Sequence, residues 1–233
     1  MSVRPARVDL VQEVGYATKD ESYFSQARAD YVDSLAQGVE SVLEIGCADG
    51  ATGALALARG KCTRYCAVEL LPEAAAVARE RLTDVVVGDI EELELPWGEG
   101  TFDALILSEV LEHLRDPWRV LVRLRPFLRP GAQVFASTPN VAHRDIVLML
   151  LRGRWELRDW GPMDATHLRW FTPGSFRDGF EQAGYVVDSV GPLGGLGPGS
   201  AMVDRVLRGR GRHLWYRQID LRAHVPESGS AAG

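Results

Sequence analysis

Apolar positions along this chain follow two rhythms that take turns. Short dense runs at Val42 to Ile45, Tyr65 to Val68, Val85 to Val87, Phe102 to Leu107 and Gln133 to Ser137 read as strands. Between them, Ala51 to Arg59, Pro72 to Leu82 and Asp116-Pro117 to Leu128 carry helical spacing, with proline in the first turn of the latter two. Ahead of the first run, Phe24, Ala27, Tyr31, Val32 and Leu35 predict an amphipathic helix over Tyr23 to Ala36. Ile146 to Leu151 predicts a short helix, Pro173 to Ala183 a longer one capped by Thr172, and Tyr185 to Val190 a sixth strand. A short helix over Ala201 to Leu207 and a last strand over His213 to Leu221 complete the pattern. Strands alternating with helices at these spacings predict a parallel α/β sheet whose ligand lies at the carboxyl ends of its strands.

Each loop that is a candidate for chemistry follows a strand. Glu44-Ile45-Gly46-Cys47-Ala48-Asp49-Gly50 ends the first run in a glycine-punctuated turn before a helix, where the backbone can approach a ligand closely. Glu69 closes the second strand roughly twenty residues on, where one carboxylate can take both hydroxyls of a ribose. Asp89 and Ile90 leave the third strand on the same edge, placed for an adenine amino group and ring face. Ser108-Glu109 and Thr138-Pro139-Asn140-Val141-Ala142-His143 follow the fourth and fifth strands. Residues 144–172 break the regularity with Trp155, Trp160, Trp170 and several Arg and Asp residues, which suggests a substrate-facing cap. Tyr16, Tyr23 and Arg28 either close over the ligand, with Arg28 pairing a carboxylate, or serve as packing residues.

Composition narrows the ligand. The 233 residues are 46% hydrophobic and carry a net charge of −6, which suits one globular domain and gives no global reason to bind nucleic acid. Cys47, Cys62 and Cys66 lack zinc-ligand spacing and suggest reduced thiols in a cytoplasmic protein. No apolar run reaches the roughly twenty residues of a membrane span. Gly46 to Gly53 does not have the glycine spacing of a dinucleotide site.

On Glu44 to Gly50, Glu69, Gly88-Asp89 and the run from Phe102-Asp103 to Asp116-Pro117, the chain resembles the class I S-adenosylmethionine-dependent methyltransferases. Ser137 to His143 and Asp164 to Thr172 are similar to motifs of a bacterial branch associated with sugar, glycan and natural-product biosynthesis. Ala48 departs from that pattern, standing where the family commonly has a middle glycine.

The resemblance implies a Rossmann-like seven-stranded sheet with the last strand antiparallel, helices on both faces and a substrate cap. Residue patterning together with the resemblance divides the chain into a lead-in or lid over 1–22, a cofactor-binding core over 23–143, a cap over 144–172, the remaining core with a Gly/Pro-rich linker over 173–222, and a disordered tail over 223–233. S-adenosylmethionine is then the cofactor. Gly46 and Gly50 approach its methionyl part, Glu69 its ribose and Asp89 with Ile90 its adenine, while Ser108 and Glu109 line the methyl-donor side. Tyr23, Arg28, Glu44, Cys47, Ala48, Leu70 and His113 complete the expected cofactor contacts.

For a hydroxyl acceptor the proton must leave as the bond forms, and a neutral imidazole close to the oxygen would help. His143 is the first choice, His167 the second and His113 the third. Asn140, Trp155, Trp160, Asp164 and Arg169 are the expected substrate contacts, on a sugar-type acceptor. No ligand spacing calls for a metal, with Asp145, Asp159, Asp164 and His167 the nearest candidates. N-methylation of an aminosugar, a non-catalytic cofactor-binding partner protein and a homodimer through Gly191 to Leu221 are left open.

Overall fold

The computed structural model describes residues 27–196, 205 and 211–227. Seven strands make one sheet: β1 (Ser41–Ile45), β2 (Arg64–Glu69), β3 (Asp84–Val87), β4 (Phe102–Ser108), β5 (Leu128–Pro139), β6 (Val186–Pro192) and β7 (Gln218–His224). Their spatial order is β3-β2-β1-β4-β5-β7-β6, with β7 antiparallel to both neighbours and every other pairing parallel. The Rossmann-like sheet with an antiparallel last strand is therefore present.

The helices are α1 (Ala29–Ser34), α2 (Ala51–Ala58), α3 (Pro72–Arg79), α4 (Pro117–Leu124), α5 (Arg144–Leu151) and α6 (Pro173–Gln182). Side chains of one strand alternate between faces, so Leu43 and Ile45 enter one apolar core while Val42 enters the other. The first core continues into Leu105, Leu107, Phe176 and Phe180, and the second into Ala104, Ile106, Phe135 and Tyr31. Because β1 pairs with both β2 and β4, the strand order reverses there, and the crevice at the carboxyl ends of β1 and β4 is the natural ligand position.

Several boundaries differ from the sequence expectation. Helix α4 stops at Leu124 and gives way to a tight turn at Arg125–Phe127, because Pro126 has no N–H to continue the helical ladder. The fifth strand begins at Leu128, earlier than expected, through Pro130 and Gly131. The last strand lies at Gln218–His224, where Ile219, Leu221 and Ala223 alternate inward, and Arg212–Trp215 forms a short turn instead. Residues 223 and 224 thus belong to the sheet, which corrects the expected tail. Tyr16, Tyr23, the 1–22 lead-in, the start of the first helix and all of the 201–207 helix except Arg205 lie outside the described residues.

Candidate functional site

The turn after β1 is held open by backbone geometry. Gly46, Ala48 and Gly50 have φ of 72°, 50° and 79°, the left-handed region that glycine tolerates and alanine resists. A side chain at Gly46 would meet Val110 at 3.2 Å. Glu69 compensates Ala48: its Oε2 accepts the Ala48 N–H at 2.8 Å and its Oε1 the Leu71 N–H at 2.9 Å. Burial raises its carboxyl above the usual range.

Glu44 is 2% exposed and accepts the Tyr65 hydroxyl at 2.9 Å. Burial pushes its carboxyl up to about 8, with Glu69 adding to the rise. Arg28 donates from Nη1 to the hydroxyls of Ser108 at 2.5 Å and Ser137 at 2.9 Å, and its guanidinium lies 3.7 Å from the Tyr31 ring centre. Glu109 has φ of 53°, accepts from Gln218 Nε2 at 3.2 Å and is likewise raised by burial.

A cavity of about 660 Å³ joins these groups. Arg28, Glu44, Gly46, Cys47 and Ala48 line its floor. Glu69, Leu70, Asp89 and Ile90 line one side, and Ser108, Glu109 and His113 the other. From the cap come Trp160, Asp164 and His167. Asp89 also pairs with Arg115 at 2.8 Å and accepts the Glu91 N–H, so its loop is fixed.

Some expected site residues lie elsewhere. Gly50 does not line the cavity; it caps α2 and packs its α-carbon side against Ala78 and Leu82. His143 is the N-cap of α5, its Nδ1 accepting the Asp145 N–H at 3.3 Å, and it lines a separate cavity of about 60 Å³. Burial lowers its pKa, consistent with the neutral ring that this acceptor role needs. Asn140 is fully buried and donates to the carbonyls of His213 and Tyr216 while accepting the Ala142 N–H, which ties β5 to the turn before β7. Arg169 donates to the Arg115 carbonyl, and Trp155 stacks edge-on against Trp170 at 5.1 Å, both away from the large cavity.

Glu112 was missed as a cavity residue. It sits with His113 in the tight turn Leu111–His113, and its carbonyl accepts the Leu168 and Arg169 N–H groups at 2.8 and 3.0 Å, which draws the cap onto the cavity. The His113 and His167 rings meet edge-on with centres 4.8 Å apart. The Glu-His pair was legible in the sequence; its meeting with a histidine from the cap was not. Gln218 and Arg217 also reach the cavity from a segment whose strand register the sequence misplaced.

A family model described as a methyltransferase domain matches residues 16–190. The chain is 34% identical over 122 residues to a ubiquinone biosynthesis O-methyltransferase of Xanthomonas campestris pv. campestris, covering 48% of this chain and 49% of that protein. It is 30% identical over 145 residues to an uncharacterised 37.1 kDa protein in a Streptomyces fradiae transposon, covering 60% of this chain and 41% of that one. The chain thus spans about half the length of the curated relatives it matches. In structure it is similar to an S-adenosylmethionine-dependent methyltransferase from Archaeoglobus fulgidus, with a TM-score of 0.63 at 16% identity over 94% of each chain. No helix among the described residues is long and apolar enough to cross a membrane.

Proposed function

Since the chain belongs to the methyltransferase-domain family that spans its residues 16–190, we propose that it methylates a hydroxyl oxygen of a small acceptor, a sugar or sugar-bearing intermediate. The observation that carries this reading is one cavity lined both by the Gly46 turn with Glu69 and by Trp160, Asp164 and His167 of the cap.

The floor fits S-adenosylmethionine. The two oxygens of Glu69 each accept one backbone N–H, and a carboxylate oxygen has a second lone pair for a ribose hydroxyl. Gly46, without a side chain, leaves the methionyl end room beside Val110. Asp89 and Ile90 line the same cavity, in keeping with an adenine contact. When bound, S-adenosylmethionine supplies an electrophilic methyl group on a cationic sulfonium. Glu44 and Glu109 line the cavity with carboxyls that burial pushes toward the neutral form, and a bound cation would in turn favour their ionisation.

The acceptor end must align a hydroxyl and relieve it of a proton. Alignment and exclusion of water contribute about 7–11 kcal/mol in favourable cases. Trp160 offers a ring face to a sugar, and the Glu112, His113 and His167 cluster meets the hydroxyl. The first choice of His143 for the proton is thereby reversed, since its ring is committed to α5 in another cavity. The names of the Xanthomonas relatives, O-methyltransferases, support oxygen over nitrogen as the acceptor atom.

Incubation with methyl-labelled S-adenosylmethionine and a panel of nucleotide sugars, glycosides and lipid-linked sugars tests the reading. Label on a sugar oxygen is the expected result; label on an amine or a phenol, or none, overturns it.

A further inference from the structure

We propose that Glu112, His113 and His167 form a site for one divalent transition-metal ion at the acceptor end of the cavity. One ligand atom from each lies within 4.8 Å of the other two, and the residues are 1%, 8% and 7% exposed. Two atoms that each touch a cation at ~2.1 Å are at most about 4.2 Å apart, so a slight inward rotation of the side chains completes the set.

The supporting contacts are those that metal ligands need. The Thr166 carbonyl lies 3.3 Å from His113 Nδ1, and a carbonyl can only accept, so the ring proton sits on Nδ1 and Nε2 carries the lone pair. Thr138 donates from Oγ1 to Glu112 Oε2 at 3.2 Å, fixing the plane of the carboxylate. The Leu168 and Arg169 N–H groups on the Glu112 carbonyl bring His167 to the other two across the boundary between core and cap. Three ligands thus arrive from two separate segments, each oriented by its own fold.

Two imidazoles and one carboxylate suit Mn²⁺, Fe²⁺, Co²⁺, Ni²⁺ or Zn²⁺ better than Mg²⁺ or Ca²⁺, which prefer oxygen. Three protein ligands leave coordination positions facing the cavity. An acceptor hydroxyl, or a vicinal pair of them, docks there, and the cation makes its O–H more acidic so that the proton passes to water. This role rests on the proposed hydroxyl acceptor, whereas the ion binding itself does not.

The test is a titration of chelator-stripped protein with Co²⁺, followed by calorimetry and visible absorption. One ion per chain is expected, with Mg²⁺ binding more weakly. Glu112→Gln and His167→Ala should each weaken Co²⁺ by at least about 100-fold, and Thr138→Val by about 10–100-fold, the range for an outer partner of a metal ligand. Circular dichroism checks that each variant is folded. S-adenosylhomocysteine is titrated into the same stripped protein, so a failure of the cofactor reading registers apart from a failure of the metal site. Absence of stoichiometric Co²⁺ binding, or wild-type affinity in the folded variants, overturns the proposal.

Discussion

Glu69, at the tip of β2, holds the backbone N–H of Ala48 at 2.8 Å. One side chain from the second strand therefore fixes a turn that belongs to the first, at a residue whose positive φ alanine does not favour. The same side chain lines the cavity, so loop geometry and the proposed ligand contact would depend on one group.

Glu69→Ala should weaken S-adenosylhomocysteine by at least about tenfold, since a hydrogen bond to a charged group is worth about 1.5–3 kcal/mol. Calorimetric titration reads this directly. Wild-type affinity in the variant would remove Glu69 from the site.

Glu44 makes stability depend on pH. Its carboxyl is raised from 4.5 to about 8, so between those values the folded chain keeps a proton that the unfolded chain has released. The stabilisation is present below about pH 4.5, declines as pH rises and is lost above about pH 8. Glu44→Gln, which retains an oxygen for the Tyr65 hydroxyl, should flatten the denaturation midpoint across this window relative to the parent. Parallel profiles for the two proteins would refute the assignment.

His143 and His167 should separate in their effects. His143→Ala removes a helix cap and should cost about 1 kcal/mol of stability. His167→Ala removes a proposed ligand of the ion that acidifies the acceptor hydroxyl and should lower kcat at least about 100-fold. Urea denaturation and single-turnover methyl transfer on both variants check the pair, and a larger kcat loss for His143→Ala would restore the first choice.

Gly179 of α6 leaves room for Trp118 of α4: a β-carbon there would lie 2.2 Å from the indole. Gly179→Ala should destabilise the fold by about 1–3 kcal/mol through overpacking, offset by up to about 1 kcal/mol of helix propensity. Adding Trp118→Leu should recover part of the loss, a coupling that a double-mutant cycle measures.

Much of the sheet was legible because β1, β2 and β4 are buried on both faces and their apolar runs are dense. The cavity floor was legible for a related reason: in a parallel sheet the turn after each strand falls on one rim, so Gly46, Glu69, Asp89 and Ser108 converge without knowledge of packing. The acceptor end was less so. Asn140 and His143 follow β5 on that rim, yet their side chains are spent on the backbone of the β7 approach and of α5. Glu112 and His167 are brought together with the ties from the Leu168 and Arg169 N–H groups to the Glu112 carbonyl, contacts of long sequence separation that no local pattern announces. The last strand was misplaced because His213 to Tyr216 is as apolar as the strand itself, and its pairing with β5 and β6 sets the register.

The central claim is that the Gly46 turn and Glu69 bind a sulfonium nucleoside without a phosphate grip. Titration of the purified chain with S-adenosylmethionine and, separately, with NAD tests it most directly. One S-adenosylmethionine per chain with no detectable NAD binding is the predicted result; no heat from S-adenosylmethionine, or equal affinity for NAD, would contradict it.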